Sequence, residues 1–316
     1  MSARSTILAL AAGLALVAGP HAQAQQPPPS NVLKIASTPD EATRATIQAF
    51  IDAHMKLIAT GNPEQVQEAR KTLAGLLRKP DCSLVFYRTF LQLATPEISS
   101  IVKSGDAFRA TNALLVVRQI RCSEALAMIL DQSSATLQSD ARVRVAASAM
   151  IGAMVRGGTV QPTELDGIAR RVRENCEVET NPFAASQLIE SLGGIASTAD
   201  AAKLPNTVRG TFDELVKATG SALTRAQKPD SADFAMVVFR GLFVMRETVL
   251  KMTPDQQKAL GKTVEPLLKQ VEALPDQPKA ANAEWAASEI RAAKAALPGL
   301  AKLVGVNWKS PEPAKK

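Results

Sequence analysis

Residues 139–158, SDARVRVAASAMIGAMVRGG, constrain the fold more than any other stretch of the chain. Asp140 at the front and the pair Gly157-Gly158 at the back mark the limits of a helix. On that helix Val143, Ala146, Ala147, Met150 and Met154 share one face, and Val145, Ala149, Ile151, Ala153 and Val155 fill much of the rest. Only Arg144, Ser148 and Gly152, four apart, make a polar or small seam. A helix on the rim of a globule needs one apolar stripe. This one needs neighbours on at least two sides, and its alanines let them come close.

The rest of the chain offers such neighbours. Helix starts recur with one grammar, a capping side chain followed by proline and a carboxylate or amide: Thr38-Pro39-Asp40-Glu41, Asn62-Pro63-Glu64-Gln65, Thr253-Pro254-Asp255-Gln256, and the shorter Thr95-Pro96-Glu97 and Asn181-Pro182. Stops are expected at Gly61, Pro80, Gly105, Gly157-Gly158 and Pro205. Between these marks the apolar period is helical, as with Ile47, Phe50, Ile51, His54, Met55 and Ile58, or Val66, Ala69, Leu73, Leu76 and Leu77. Pro266 should kink or split the helix that holds it. No alternating strand and no Asn-Gly or Asp-Gly hairpin turn stands out. The fold class is therefore all-α, as stacked helical hairpins or an irregular α-bundle, over residues 38–304.

The ends read differently. An early arginine, Arg4, an uncharged apolar run from Ile7 to Gly19 and the small-residue pattern Ala22-Gln23-Ala24 make residues 1–24 a secretory signal peptide. Residues 25–37, rich in Gln and Pro, and residues 305–316 are expected as disordered tails. The chain would then act outside the cytoplasm, in a periplasm or beyond the cell, with no transmembrane segment left after cleavage. The most apolar later stretch, residues 234–250, is interrupted by Arg240 and Arg246 and is too short to span a bilayer. In an oxidising compartment Cys82 and Cys122 are the preferred disulfide pair among the three cysteines, worth about 4 kcal/mol in the chain-entropy account. Three reduced thiols are the alternative.

The segment VRVAASAMIG, Val143 to Gly152, with Asp140 just upstream, resembles the start of the second helix of a HEAT repeat. FRATNALLVV, Phe108 to Val117, is similar to it more loosely, and FAASQLIESLGG (183–194) and WAASEIRAA (285–293) share its small-residue core. The resemblance is clearest over residues 140–155. It implies helix pairs stacked into a curved, right-handed superhelix that binds other proteins.

Catalytic chemistry finds little footing. After His21 the chain has a single histidine, His54, on an apolar face, so a multi-histidine metal site cannot form. Ser100-Ile-Val-Lys103 has Ser-x-x-Lys spacing, but its partner Lys-Thr strand is missing; Lys262-Thr263 lies in a helical region. IESLGGIAS, Ile189 to Ser197, resembles the Glu-Ser start of lytic transglycosylases, which would make Glu190 a general acid and base on peptidoglycan. Arg170, Arg171 and Arg173, with Arg142 and Arg144, are candidates for an anion-binding surface. Nucleic acid is not expected as a partner, since the net charge of +7 is mild and aromatic platforms for bases are scarce. No cofactor is expected. The leading reading is an exported, non-catalytic scaffold for a protein partner in the cell envelope. The alternatives are the Glu190 enzyme and an arginine-mediated binder of an anionic polymer or lipid surface.

Overall fold

The structure, a computed structural model, describes residues 26–278 and 282–309. Among the described residues there are fourteen α-helices and no strand, so the all-α class holds. The expected signal peptide, residues 1–24, lies outside the described residues.

A short helix, α1 (Ser30–Leu33), precedes six hairpins. These are α2 (Glu41–Thr60) with α3 (Pro63–Leu77), α4 (Leu84–Lys103) with α5 (Ala107–Val117), and α6 (Ser123–Gln132) with α7 (Ala141–Arg156). They continue as α8 (Leu165–Val178) with α9 (Pro182–Ala201), and α10 (Pro205–Ala226) with α11 (Ala235–Val249). A short α12 (Pro254–Ala259) then leads to α13 (Gly261–Glu272) with α14 (Ala283–Leu303).

Each of these paired helices packs on its hairpin mate, and all but the short α6 and its neighbours in the first layer pack on the corresponding helix of the next hairpin. The second helices form a continuous layer: α3 on α5, α5 on α7, α7 on α9, α9 on α11, α11 on α14. The first helices make the other layer through α2 on α4, α8 on α10, and α10 on α13. The short α6 leaves that layer thinner, and a cleft of about 270 Å³ between α6 and α8 sits there, lined by Leu126, Leu130, Val160 and Ile168 among others. Ser123 Oγ bridges it to Glu164 Oε2 at 3.1 Å.

The 140–156 helix is the middle of the second layer, with α5, α6 and α9 around it. Its seam packs closely against α9. Arg144, Ser148 and Gly152 are all buried. Ser191 Oγ of α9 donates to the Ser148 carbonyl at 2.9 Å and accepts from the Gly152 amide at 3.2 Å. A Cβ on Gly194 would lie 3.1 Å from the Gly152 Cα, so two glycines let these backbones meet.

Most caps match the sequence grammar. Asn62 and Thr253 form reciprocal capping boxes with Gln65 and Gln256, and Asn181 caps α9 ahead of Pro182. Gly105 and Gly158 adopt left-handed backbone where the chain turns. Other details differ from expectation. The first cap is Asp40, not Thr38: its Oδ1 accepts the Thr43 amide at 2.8 Å, closer to the first apolar turn. Thr95-Pro96-Glu97 starts no helix; α4 runs through it, and Thr95 Oγ1 donates back to the Leu91 carbonyl. Pro205 is not a stop but the first residue of α10, where its missing amide costs nothing. The break expected at Pro266 falls at Leu260, upstream of the proline, which sits inside α13.

The tails are more ordered than the composition suggests. In the segment 25–37, expected as a disordered linker, Val32 and Leu33 of α1 are buried. The Ser83 amide and hydroxyl donate to the Leu33 and Ile35 carbonyls, so the strap is fixed on the first hairpins. In the expected tail 305–316, Val306 and Trp308 pack on the core, and residues 310–316 lie outside the described residues. Among the described residues no helix is long and apolar enough to cross a membrane.

Candidate functional site

The hairpin topology puts the first-to-second-helix turns of the first five hairpins on one edge of the stack: 61–62, 104–106, 133–140, 179–181 and 227–234. Arginines stitch them together. Arg109 of α5 donates Nε to Asp106 Oδ2, Nη1 to the Ile58 carbonyl and Nη2 to the Gly61 carbonyl, each at 2.9 Å, joining the second turn to the first. Arg144 of α7 donates Nη1 to the Gln138 and Ser139 carbonyls at 2.9 and 2.8 Å. Its Nε and Nη2 form a fork on Glu179 Oε2 and Oε1 at 2.7 and 2.8 Å, joining the third turn to the fourth. Arg225, at the end of α10, donates to the Glu177 and Glu179 carbonyls and lies 5.0 Å over the Phe234 ring, joining the fourth to the fifth. These arginines bind the carbonyls that helix ends leave without a partner.

Four large apolar side chains stand exposed on this stitched edge: Phe108 (44%), Leu137 (65%), Val178 (43%) and Phe183 (58%). Phe108 and Phe183 are second residues of their helices, Val178 ends α8, and Leu137 tops the 133–140 turn. Burying the exposed remainder of each would be worth roughly 1 kcal/mol, about half the value of a whole side chain. Between the second and third turns lies a cleft of about 260 Å³, lined by Ser99, Lys103, Asp106, Gln132, Leu137 and Asp140 among others. Its two carboxyl groups are spoken for. Asp106 is held below its ordinary range first by the Arg109 amide, and Asp140 first by the Arg142 guanidinium. Both are caps of second helices, and neither is poised to give up a proton.

The residues singled out from sequence fall elsewhere. Glu190, on α9, is about 42% exposed along its side chain and ion-paired to Arg240 Nη1 at 2.8 Å. At that exposure its carboxylate stands open to solvent rather than enclosed. Four of the five arginines are already engaged. Arg142 holds Asp140, Arg144 holds Glu179, Arg171 holds Asp131, and Arg173 holds Glu174, Glu177 and Glu214. Arg170 alone of the five has no such partner among the described residues. The partners of the other four lie in different parts of the chain.

Cys82 and Cys122 are not bridged; all three cysteines are free. Cys82 Sγ turns to the Leu76 carbonyl at 3.4 Å, while Cys122 sits at the start of α6. Burial pushes the Cys122 thiol up to about 11 and that of Cys176 to about 12, so neither is a nucleophile near neutrality. His54 is a buried helix residue whose Nδ1 lies 2.9 Å from the Phe50 carbonyl. No metal-binding group of three or more His, Cys, Asp or Glu side chains occurs among the described residues.

Sequence reasoning missed the edge. Phe108 lies in a stretch already singled out for its small residues, but nothing in the period marks its side chain as exposed. Only the turn order places it on the same edge as Leu137 and Phe183. The chain matches no protein-family model, and no curated protein is significantly similar to it.

Proposed function

We propose that the protein is an exported, non-catalytic helical scaffold of the HEAT-like kind that binds a protein partner in the cell envelope along its stitched edge. The observation that carries the reading is the exposure of Phe108, Leu137, Val178 and Phe183 on successive turns. Exposed apolar side chains grouped on one side of a protein mark interaction sites. The charges beside them are largely compensated within the chain, through the Asp106–Arg109, Asp140–Arg142 and Arg144–Glu179 pairs. Such an edge suits an apolar or mixed protein surface better than a polyanion.

Affinity capture from envelope extracts tests this. The protein should retain a defined partner, and the Phe108→Ser/Leu137→Ser/Phe183→Ser variant should lose it while its thermal unfolding stays unchanged. Recovery of the same protein by the variant, or of cell-wall fragments alone by both, refutes the reading.

A further inference from the structure

The opposite edge carries the second-to-first-helix turns and has a different character. Its first two turns, 78–83 and 118–122, touch through Arg78 Nε, which donates to Gln119 Oε1 at 3.0 Å. They bring together Arg78, Lys79, Arg118 and Arg121, all exposed and none in a salt bridge among the described residues. Arg121 is close enough that its charge acts on the Cys82 thiol of the other turn. The acids nearby are already engaged. Asp81 pairs with Lys34 at 3.3 Å and Glu124 with Arg88 at 2.9 Å. Glu164 of the next turn accepts from Ser123 Oγ and the Gln161 amide. The result is a compact positive patch.

Beside it stand Pro80, exposed, and Leu84, the first residue of α4, which is 49% exposed. A soluble acidic polymer would use the cations alone. An apolar side chain set among cations matches a lipid interface, where arginines meet headgroup phosphates and the apolar residue enters the acyl boundary.

We infer that this patch docks the protein onto an anionic phospholipid bilayer, with Arg78, Lys79, Arg118 and Arg121 on the headgroup phosphates and Leu84 inserted between them. The stitched edge, on the far side, then faces away from the membrane. The inference does not rest on the partner reading.

Co-sedimentation of the full chain with vesicles decides it. Vesicles containing phosphatidylglycerol should bind much more protein than pure phosphatidylcholine, and salt should reduce the excess. The comparison between the two lipids cancels any contribution of the apolar Ile7–Gly19 run. Each cation near the surface is worth roughly fivefold in partition, so Arg118→Gln/Arg121→Gln should lower the anionic excess about 25-fold. Leu84→Ser should lower total binding to the phosphatidylglycerol vesicles severalfold without changing binding to soluble polyphosphate. Lys103→Gln/Lys228→Gln, an equal charge change on the opposite edge, should leave the anionic excess unchanged. Equal binding to both lipids, an equal loss in the control pair, or binding to polyphosphate without binding to vesicles would overturn the inference.

Discussion

Arg144 offers the sharpest test of the stitched edge. Its side chain is only 6% exposed, and that of Glu179 is fully buried. Arg144→Met keeps much of the side-chain volume but removes the fork on Glu179 and the donors to the Gln138 and Ser139 carbonyls. Glu179 is left with the Asn181 amide, 2.7 Å away, as its one donor of those described. Breaking a buried pair on one side costs about 3–5 kcal/mol, because the other charge stays behind without compensation. The two carbonyls that lose their donor place the expected loss in the upper part of that range. Replacing both residues by apolar ones removes the stranded charge, so Arg144→Met/Glu179→Leu should be less destabilised than the two single variants summed, by at least about 2 kcal/mol. Urea unfolding followed by far-UV circular dichroism and by tryptophan fluorescence reads these values, coincident transitions licensing the two-state treatment. Arg142→Met, two residues away on an open ion pair, should barely move the midpoint. A loss below about 1 kcal/mol for Arg144→Met, or strict additivity in the cycle, would refute the claim that this pair joins the third and fourth turns.

Three other outcomes follow from the geometry. Gly241→Ala should destabilise by about 1–3 kcal/mol, since a Cβ there would lie 2.2 Å from Thr219 Oγ1, and Thr219→Ala should relieve part of the loss in a thermal melt. Thiol titration without reductant should count three free cysteines in denaturant, and in the folded protein at pH 8 Cys122 and Cys176 should resist alkylation because burial holds both thiols protonated. Asp106 and Asp140 have folded pKa values below the unfolded one, so the stability they add is present above about pH 4 and fades as the pH falls through the folded values; Asp106→Asn/Asp140→Asn should flatten that part of a stability–pH curve.

Much of the fold was legible because helices announce themselves locally. The capping boxes at Asn62 and Thr253 and the apolar circumference of residues 140–156 need only near neighbours in sequence to be read. The seam of Arg144, Ser148 and Gly152 also stood out, but as a polar interruption. That it is a close backbone-to-backbone contact with α9 depends on Ser191 and Gly194, far along the chain. The partners of the arginines were hidden for a related reason. Arg171 and Arg173 look like a charge run, yet Asp131 and Glu214, each about forty residues away, take up their charge. The exposed edge was illegible because exposure is a property of the assembled turns. Phe108 and Phe183 carry the same residue type as the buried Phe50 and Phe86.

The most direct test of the scaffold account is photo-crosslinking in living cells, with a photoreactive residue placed in turn at Leu137, at Phe183, and at the exposed Glu97 of α4 as a control. The account predicts one protein adduct of constant mass from Leu137 and Phe183 and none from Glu97. No adduct from either edge position, or the same adduct from all three, would contradict it.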